Sequence, residues 1–321
     1  MRFFDREIMR TVRFLVTVAA ALMLAAIVAG GVSSAAPLPV PYNTVTGITT
    51  GLLNAKGDPA GANDWNCKPS AAHPEPVVLV HGTGLTAAMN WGTYSPLLKN
   101  EGYCVFALTY GVWQGVPAPF DIIGAMRPIP DSAGEVAQFV DRVRAATGAD
   151  KVDLVGHSQG TIVSGYYINL LGGAQHVAKV VSLGPAWAGS PVDFVALSRQ
   201  VGVPQAVWDA ASRLCAGCFD AMPSSPVMQR FTATGIYAPG VAYTNIGSRY
   251  DFLAPPPTAL PPGPNTNNVV VQDVCAVDGS DHVGLAGSPI ATAITLNALD
   301  PTHPRPVPCM PTQYGTGAPI G

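Results

Sequence analysis

The strongest indication of the fold of this 321-residue chain is the sequence Lys151-Val-Asp-Leu-Val-Gly-His-Ser-Gln-Gly160. The apolar run at 152–155 predicts a short buried strand, and the residues after it predict a tight turn and a helix over 159–171. Gly156-His-Ser-Gln-Gly160 has the spacing of a nucleophile elbow, a strand–turn–helix unit that holds a serine above the end of a sheet. The stretch therefore predicts Ser158 as a nucleophile.

The alternative interpretation of this turn is a glycine-rich helix entry that binds phosphate. Neither a Gly-x-Gly-x-x-Gly spacing nor a P-loop lysine accompanies the turn, so we favour the nucleophile. The partial positive charge at the helix N-terminus then lies where an oxyanion forms during attack by the serine.

Strands and helices alternate along the rest of the chain. Apolar residues at helical spacing predict a helix over 132–147, with Ser132 as its N-terminal cap. Further strands are predicted at 76–80, 103–108, 177–183, 241–246 and 269–271, and a last helix at 290–299. This alternation predicts an α/β fold with a mostly parallel sheet flanked by helices.

The chain is predicted to have three parts. Residues 1–35 read as a signal peptide, 36–75 as an extended N-terminal arm, and 76–321 as the α/β domain. Within that domain the periodicity blurs over 186–235, a stretch of short helical pieces with scattered large apolar residues such as Phe194 and Val195. We therefore expect an inserted cap at 186–235.

The N-terminus has the residue order of a secretory signal. Four arginines precede an uncharged apolar run at 14–30, and small residues follow it, with cleavage predicted after Ala35. The run is near the lower length limit for crossing a bilayer, so an uncleaved membrane anchor stays open as the alternative. We expect a secreted or extracellular protein, with retention at the cell envelope left open.

Composition excludes several classes of protein. Hydrophobic residues make up 48% of the chain, which excludes disorder for its bulk. A net charge of −3 without basic runs argues against nucleic-acid binding, and no obligate protein partner is evident.

The six cysteines suggest disulfides in an exported chain, but 15 pairings are possible and spacing does not choose among them. For Cys215-Ala-Gly-Cys218 we favour a local disulfide over a redox or metal motif.

A serine nucleophile needs a base and an acid that orients the base, and after such an elbow the acid precedes the histidine. His282 is predicted as the base because it lies between the last predicted strand and the last helix. His303, beyond that helix, is the alternative, whereas His81 and His157 lie within turns and are expected to be positional. Asp251, which follows a predicted strand, is predicted as the acid. The other aspartates considered lie in the cap or too near the base: Asp220, Asp273, Asp278 and Asp281.

Two backbone N–H groups are needed to bind the oxyanion. One is predicted at Gln159, directly after the nucleophile, and the other at Thr83 in the turn His81-Gly-Thr-Gly84. We expect no organic cofactor and no metal, because the aspartates near the predicted base lack the spacing of an EF-hand.

Together these stretches resemble the secreted bacterial lipases of the lipase class 2 family, from about Trp65 to Cys309. The other matching pieces are Asn90-Trp91, Gly102-Tyr-Cys-Val-Phe106, Tyr166-Tyr167, Leu171-Gly-Gly173, Tyr250-Asp251, Val271-Gln-Asp273 and Asp281-His282. The resemblance implies an α/β-hydrolase that cleaves carboxylic esters, in particular triacylglycerols. It also implies that the substrate is a lipid that the enzyme meets at a lipid–water interface. It supports Ser158, Asp251 and His282 as a triad with Thr83 and Gln159 as oxyanion donors.

The sequence departs from the pattern of this family at two places. Thr161 stands where relatives often have glycine, which is expected to alter the pocket floor, and the cap at 186–235 aligns least well. With the family in view we predict the disulfides Cys67–Cys104, Cys215–Cys218 and Cys275–Cys309.

Three other functions stay open on the sequence alone. A cutinase-like esterase or an acyltransferase of the cell envelope would use the same residues, the latter with another alcohol in place of water. A catalytically inactive hydrolase fold that acts as a binding protein is the non-enzyme alternative, and the intact order of serine, acid and histidine argues against it.

Overall fold

The computed structural model describes residues 36–118, 120–190 and 202–321. Within these residues six parallel strands form one sheet in the order β2-β1-β3-β4-β5-β6. The strands are β1 (Val77–Val80), β2 (Val105–Leu108), β3 (Val152–His157), β4 (Val177–Leu183), β5 (Ala242–Gly247) and β6 (Thr266–Val270). The predicted signal peptide and the cap residues Phe194 and Val195 lie outside the described residues.

Helices connect the strands and cover both faces of the sheet. They are α1 (Thr44–Leu52), α2 (Ala87–Asn90), α3 (Tyr94–Asn100), α4 (Ile129–Thr147), α5 (Gln159–Leu170), α6 (Gln205–Leu214), α7 (Ala216–Asp220), α8 (Pro226–Ala233), α9 (Pro256–Ala259), α10 (Val271–Val274) and α11 (Pro289–Leu299). The predicted α/β fold with a mostly parallel sheet is therefore confirmed.

The two cores on either side of the sheet explain why its strands are apolar throughout. Val78 belongs to the core under α4 and α5, with Phe139. Its neighbour Val77 belongs to the opposite core, with Trp91 and Ile294. Successive side chains of a strand point to opposite faces, so a strand covered on both faces has no position for a solvated residue.

Two local predictions differ from the structure. The segment 36–75, predicted as extended, contains the helix α1. Helix α4 begins at Ile129 and not after a cap at Ser132, because Pro130 occupies its first turn, where the missing N–H costs no intrahelical bond. Glu135, three positions after Ser132, accepts from Arg127 Nη1 at 2.6 Å.

The described part of the predicted cap is 186–190 and 202–235, and the second of these ranges contains α6, α7 and α8 between β4 and β5. Helix α7 lies against the start of α4, where Gly217 N donates to Met126 O at 3.1 Å and Ile129 N donates to Asp220 Oδ2 at 2.9 Å. These contacts hold this region beside the C-terminal ends of the strands.

The six cysteines form the three predicted pairs, Cys67–Cys104, Cys215–Cys218 and Cys275–Cys309. The first connects the segment before β1 to the residue before β2, and the third connects the end of α10 to the C-terminal segment. No helix in the described ranges is both long and apolar enough to cross a membrane.

Candidate active site

Ser158 occupies the turn between β3 and α5 in a strained conformation. Its φ is 52° and its ψ is −125°, a region that few residues other than glycine adopt. The turn is held by Ser158 N donating to Leu183 O and by Thr161 N donating to Ser158 O, both at 2.9 Å. Ser158 remains half-buried, and its side chain lines a cavity.

The flanking glycines are required by close backbone contacts. A Cβ on Gly160 would lie 2.2 Å from Val80 O, and one on Gly156 would lie 3.2 Å from the carbonyl carbon of Gly160. Any larger residue at 160 would push the helix α5 away from β1. These contacts explain why glycine stands two positions before and two positions after Ser158, as in a nucleophile elbow.

The turn after β1 passes next to Ser158. A Cβ on Gly82 would lie 3.2 Å from the Cβ of Ser158, and Thr83 lines the same cavity as Ser158 and Gln159. Helix α5 begins at Gln159, where the first-turn N–H groups have no intrahelical partner. The two predicted oxyanion donors therefore lie on the two chain segments that border the serine.

His282 and Asp251 form a buried hydrogen bond. His282 Nδ1 donates to Asp251 Oδ2 at 2.7 Å, and the carboxylate side chain is fully buried. The other oxygen, Oδ1, accepts from Leu253 N at 2.9 Å and from Ala254 N at 2.7 Å. These bonds fix the carboxylate, which in turn fixes the imidazole with Nδ1 protonated, so Nε2 is left as a proton acceptor.

Gly184, at the end of β4, makes room for this pair. A Cβ there would lie 2.8 Å from His282 Nδ1 and 3.1 Å from Asp251 Oδ2, and its φ is 51°. His282 and Ser158 line the same cavity, of about 410 Å³, with Asp251 behind the imidazole.

His157 connects three parts of the site. Its Nε2 lies 3.0 Å from the main-chain oxygen of His282, and its Nδ1 lies 3.0 Å from Asn90 Oδ1. That same amide oxygen accepts from Gly82 N at 2.9 Å. Burial, with the nearby charge of His282 as a lesser cause, lowers the pKa of His157 to about 3, so the ring is neutral.

His81 is a second buried and neutral imidazole. Tyr110 N donates to its Nε2 at 3.2 Å, so its Nδ1–H donates to Gly82 O at 2.8 Å. Burial lowers the pKa of His81 to about 4. The alternative base, His303, has a largely exposed side chain beside Asp300 and does not line the cavity.

The cavity wall is largely apolar. Its lining residues include Leu85, Ile162, Ala186, Met222 and Leu253. Helix α1 also contributes to it through Thr44 and Ile48, a contribution that the sequence did not predict. A larger cavity of about 540 Å³ is lined by Lys56, Asp58, Glu135 and Arg142 among others, and no predicted site residue borders it.

Thr161 does not line the cavity, contrary to the expectation that it forms the pocket floor. Thr161 is fully buried; its hydroxyl donates to Ser158 O at 2.7 Å, and its Oγ1 accepts from Ala186 N at 3.3 Å. The hydroxyl therefore connects the turn at Ser158 to the start of the predicted cap.

The aspartates near His282 make other contacts. Asp273 is exposed and paired with Arg249, whereas Asp278 and Asp281 are buried and accept hydrogen bonds from the loop around His282. Within the described ranges no cluster of three or more histidine, cysteine or carboxylate side chains could hold a metal ion.

Residues 74–285 match the family described as lipase, class 2. The chain belongs to this family. Among curated relatives of this lipase-family chain, the triacylglycerol lipases of Pseudarthrobacter phenanthrenivorans and Burkholderia plantarii are each 33% identical over 138 residues. Those matches cover 39% of this chain but only 37% and 33% of the relatives, so the chain spans about a third of their length.

Solved structures support the fold of this lipase-family chain. Lipase B of Aspergillus fumigatus has a TM-score of 0.56 at 17% identity, over 78% of this chain and 56% of that one. The mature lipase BlEst2 of Bacillus licheniformis has a TM-score of 0.54 at 15% identity, over 76% of this chain and 99% of that one. At these identities the likeness concerns the fold, and it confirms the predicted α/β-hydrolase fold.

Proposed function

We propose that this chain hydrolyses carboxylic esters, with triacylglycerols as its substrate class, through an acyl-enzyme on Ser158. The observation that carries the proposal is the 2.7 Å bond from His282 Nδ1 to Asp251 Oδ2, with His282 and Ser158 lining one cavity. Membership of a lipase family and two curated triacylglycerol lipases among its relatives support the same chemistry.

The proposed reaction has two halves. His282 Nε2 takes the proton of the Ser158 hydroxyl while the serine oxygen attacks the ester carbonyl carbon. The N–H groups of Thr83 and Gln159 bind the oxyanion that forms, and the C–O bond to the alcohol breaks as His282 protonates the departing oxygen. Water, deprotonated by His282, then attacks the acyl-serine, which releases the carboxylic acid and restores the serine.

The lining of the cavity supports a long apolar acyl group. Ile162, Met222, Leu253 and Ile48 surround the space next to the serine, and they offer an acyl chain contacts that a sugar or a peptide would not match. We therefore propose medium or long acyl chains as the preferred substrates and no peptidase activity.

The location of the protein is proposed to be outside the cytoplasm. The segment 1–35 has the composition of a signal, and all six cysteines are paired, which is typical of proteins that fold in an oxidising compartment. Mass spectrometry of protein from culture medium and from washed cells tests this location, with Ala36 as the expected first residue.

Hydrolysis of nitrophenyl esters of increasing acyl length, together with a triglyceride emulsion, tests the proposed activity. Wild type and Ser164→Ala should both turn over esters, since Ser164 is a buried hydroxyl on the same helix that bonds only Gly160 O. Ser158→Ala should lose several orders of magnitude in kcat while it stays folded. Substantial activity in folded Ser158→Ala would contradict the proposal, and transfer of the acyl group to an added alcohol in preference to water would indicate an acyltransferase.

A further inference from the structure

The last part of the chain lies against the loop that carries His282. We define residues 309–317 as the C-terminal clamp and residues 276–283 as the base loop. The clamp begins at Cys309, which is bonded to Cys275 directly before the base loop. It turns back on itself where Gly317 N donates to Gln313 O at 2.9 Å. The family match ends at residue 285, so the clamp lies beyond it.

Thr312 supplies the main contact of the clamp. Its buried hydroxyl donates to Asp278 Oδ1, accepts from Gly279 N at 3.0 Å, and lies 3.0 Å from Ser280 Oγ. Asp278 Oδ1 also accepts from Ser280 N at 2.8 Å. One hydroxyl thus holds three consecutive residues of the base loop, and the last of them stands two positions before His282.

Asp281, the residue next to His282, forms the second contact. Its Oδ1 accepts from Gly284 N at 2.8 Å and from Gly315 N in the clamp at 3.1 Å. The Asp281 carboxylate therefore closes a short turn from Asp281 to Gly284, with His282 inside it, and connects this turn to the clamp. Asp281 is buried, so these bonds are shielded from competing water.

The two segments also meet backbone to backbone. A Cβ on Gly317 would lie 2.1 Å from the carbonyl oxygen of Gly284, the residue directly after the base loop, and one on Gly279 would lie 2.3 Å from Thr312 O. Such contacts leave no space for the base loop to shift toward the clamp. Thr44 of α1 bonds to both segments: its hydroxyl donates to Val283 O and its N–H donates to Thr316 O, both at 2.9 Å.

The base loop belongs to no helix or strand of the described chain. Its backbone therefore lacks the repeated hydrogen bonds that would set its position, and its polar groups are satisfied by neighbouring segments instead. The position of a catalytic imidazole matters because a displacement of about 1 Å can cost about 100-fold in rate.

We propose that the C-terminal clamp is a positioning element for His282, with Thr312 and Asp281 as its positioning residues. This inference rests on the proposed function of His282. Neither residue touches the substrate; both act through the base loop. Loss of the clamp contacts then slows the proton transfer between Ser158 and His282 and leaves the acyl-binding cavity as it is.

Thr312→Val tests the proposal, because valine keeps the shape of the side chain and removes the hydroxyl. We expect kcat for a nitrophenyl ester to fall by about tenfold to 100-fold with KM nearly unchanged, and the rate of Ser158 labelling by a fluorophosphonate to fall in parallel. Thr312→Ser should restore both rates. Thr302→Val, at an exposed hydroxyl that bonds only within its own turn, is the matched control and should equal wild type.

All rates are measured at a temperature where circular dichroism finds each variant folded. If folded Thr312→Val keeps the kcat and labelling rate of wild type, whatever its Tm, the clamp does not position His282. Should Thr312→Val not fold, Gly315→Ala carries the test with the same two outcomes. Its added methyl meets nothing within 4 Å, but the φ of 76° disfavours alanine and weakens the bond to Asp281. A wild type without ester hydrolysis would instead refute the proposed function.

Discussion

The imidazole Nε2 of His157 lies 3.0 Å from the main-chain oxygen of His282, so the residue before the predicted nucleophile supports the residue predicted as base. The other ring nitrogen faces Asn90, which holds Gly82 beside the oxyanion turn. The proposed nucleophile, base and oxyanion turn therefore meet at one buried, neutral ring, whose single N–H can donate to only one of these two oxygens.

The neutral state of the buried histidines predicts an acid-sensitive fold. The pKa values of His157 and His81 are lowered from 6.5 to about 3 and about 4, so the unfolded chain binds protons first as pH falls below 6.5. Stability is then lost between pH 6.5 and about 4, by about 1.4 kcal/mol per pH unit for each histidine. Burial raises the pKa of Asp153 to about 7. This carboxyl therefore stabilises the fold as pH falls below 7, which is opposite to the effect of the two histidines.

Comparison of wild type with His157→Gln isolates one of these contributions, because the remaining groups titrate in both proteins. Urea unfolding at several pH values should give the variant a shallower loss of stability below pH 6.5, by about one proton. Equal slopes for the two proteins would mean that His157 titrates normally in the folded state.

Gly160→Ala should destabilise the fold severely, because its methyl would lie 2.2 Å from Val80 O. Overpacking of a protein core typically costs about 1–3 kcal/mol, and we expect a loss of stability at the upper end of this range or above it, because the close neighbour is backbone. Gly134→Ala is the matched control in α4, where a Cβ meets nothing within 4 Å. It should stabilise by about 0.5–1 kcal/mol. Thermal melts that ranked the two variants in the other order would contradict the close packing of the elbow.

Asp251→Asn should leave the fold intact and lower kcat by about 10⁴-fold, since an amide no longer selects the imidazole tautomer with Nδ1 protonated. The amide oxygen can still accept from Leu253 N and Ala254 N. Asp273→Asn, at an exposed carboxylate, is the control and should keep full activity. Equal kcat values for the two variants would remove Asp251 from the site.

Loss of the Cys275–Cys309 disulfide should harm stability and activity together. The bond closes a sequence separation of 34 residues, for which chain entropy gives about 4 kcal/mol. The double change to serine should lower the Tm and the specific activity. The Cys215–Cys218 double change, with a separation of three residues, should cost about 2 kcal/mol. Differential scanning calorimetry and ester assays on both variants measure these effects, and a larger Tm loss for the shorter loop would contradict the estimate.

The fold could be predicted, and the central site residues could be proposed, because their signals are local. The elbow, the buried strands and the order of serine, acid and histidine each follow from a few adjacent residues and from the order of strands. Among the disulfides, spacing favoured only the local pair Cys215–Cys218, and it left the pairing of the other four cysteines open.

Helix α1 could not be predicted because its sequence, rich in threonine and glycine, has a low intrinsic helix propensity. Its glycines serve packing instead: a Cβ on Gly51 would lie 2.5 Å from Ala88 O, and one on Gly92 would lie 2.8 Å from the Cα of Gly47. Packing against the rest of the protein stabilises this helix, and the sequence of the helix alone does not reveal that packing.

The supporting residues of the site were missed for a related reason. Asn90 lies 67 residues from His157, and Thr44 lies 239 residues from Val283. Asparagine and threonine are common in turns and on surfaces, so only the folded arrangement distinguishes these two from their many equivalents. The contacts of Thr312 with Gly279 and of Asp281 with Gly315 likewise join residues 33 and 34 positions apart.

The role of Ser158 is tested by mapping the covalent adduct of a fluorophosphonate with peptide mass spectrometry in wild type, His282→Ala and Asp273→Asn. We expect a single adduct on Ser158 in wild type and in Asp273→Asn, and labelling slower by several orders of magnitude in folded His282→Ala. An adduct on another residue, or equally fast labelling of Ser158 without the imidazole, would contradict this role.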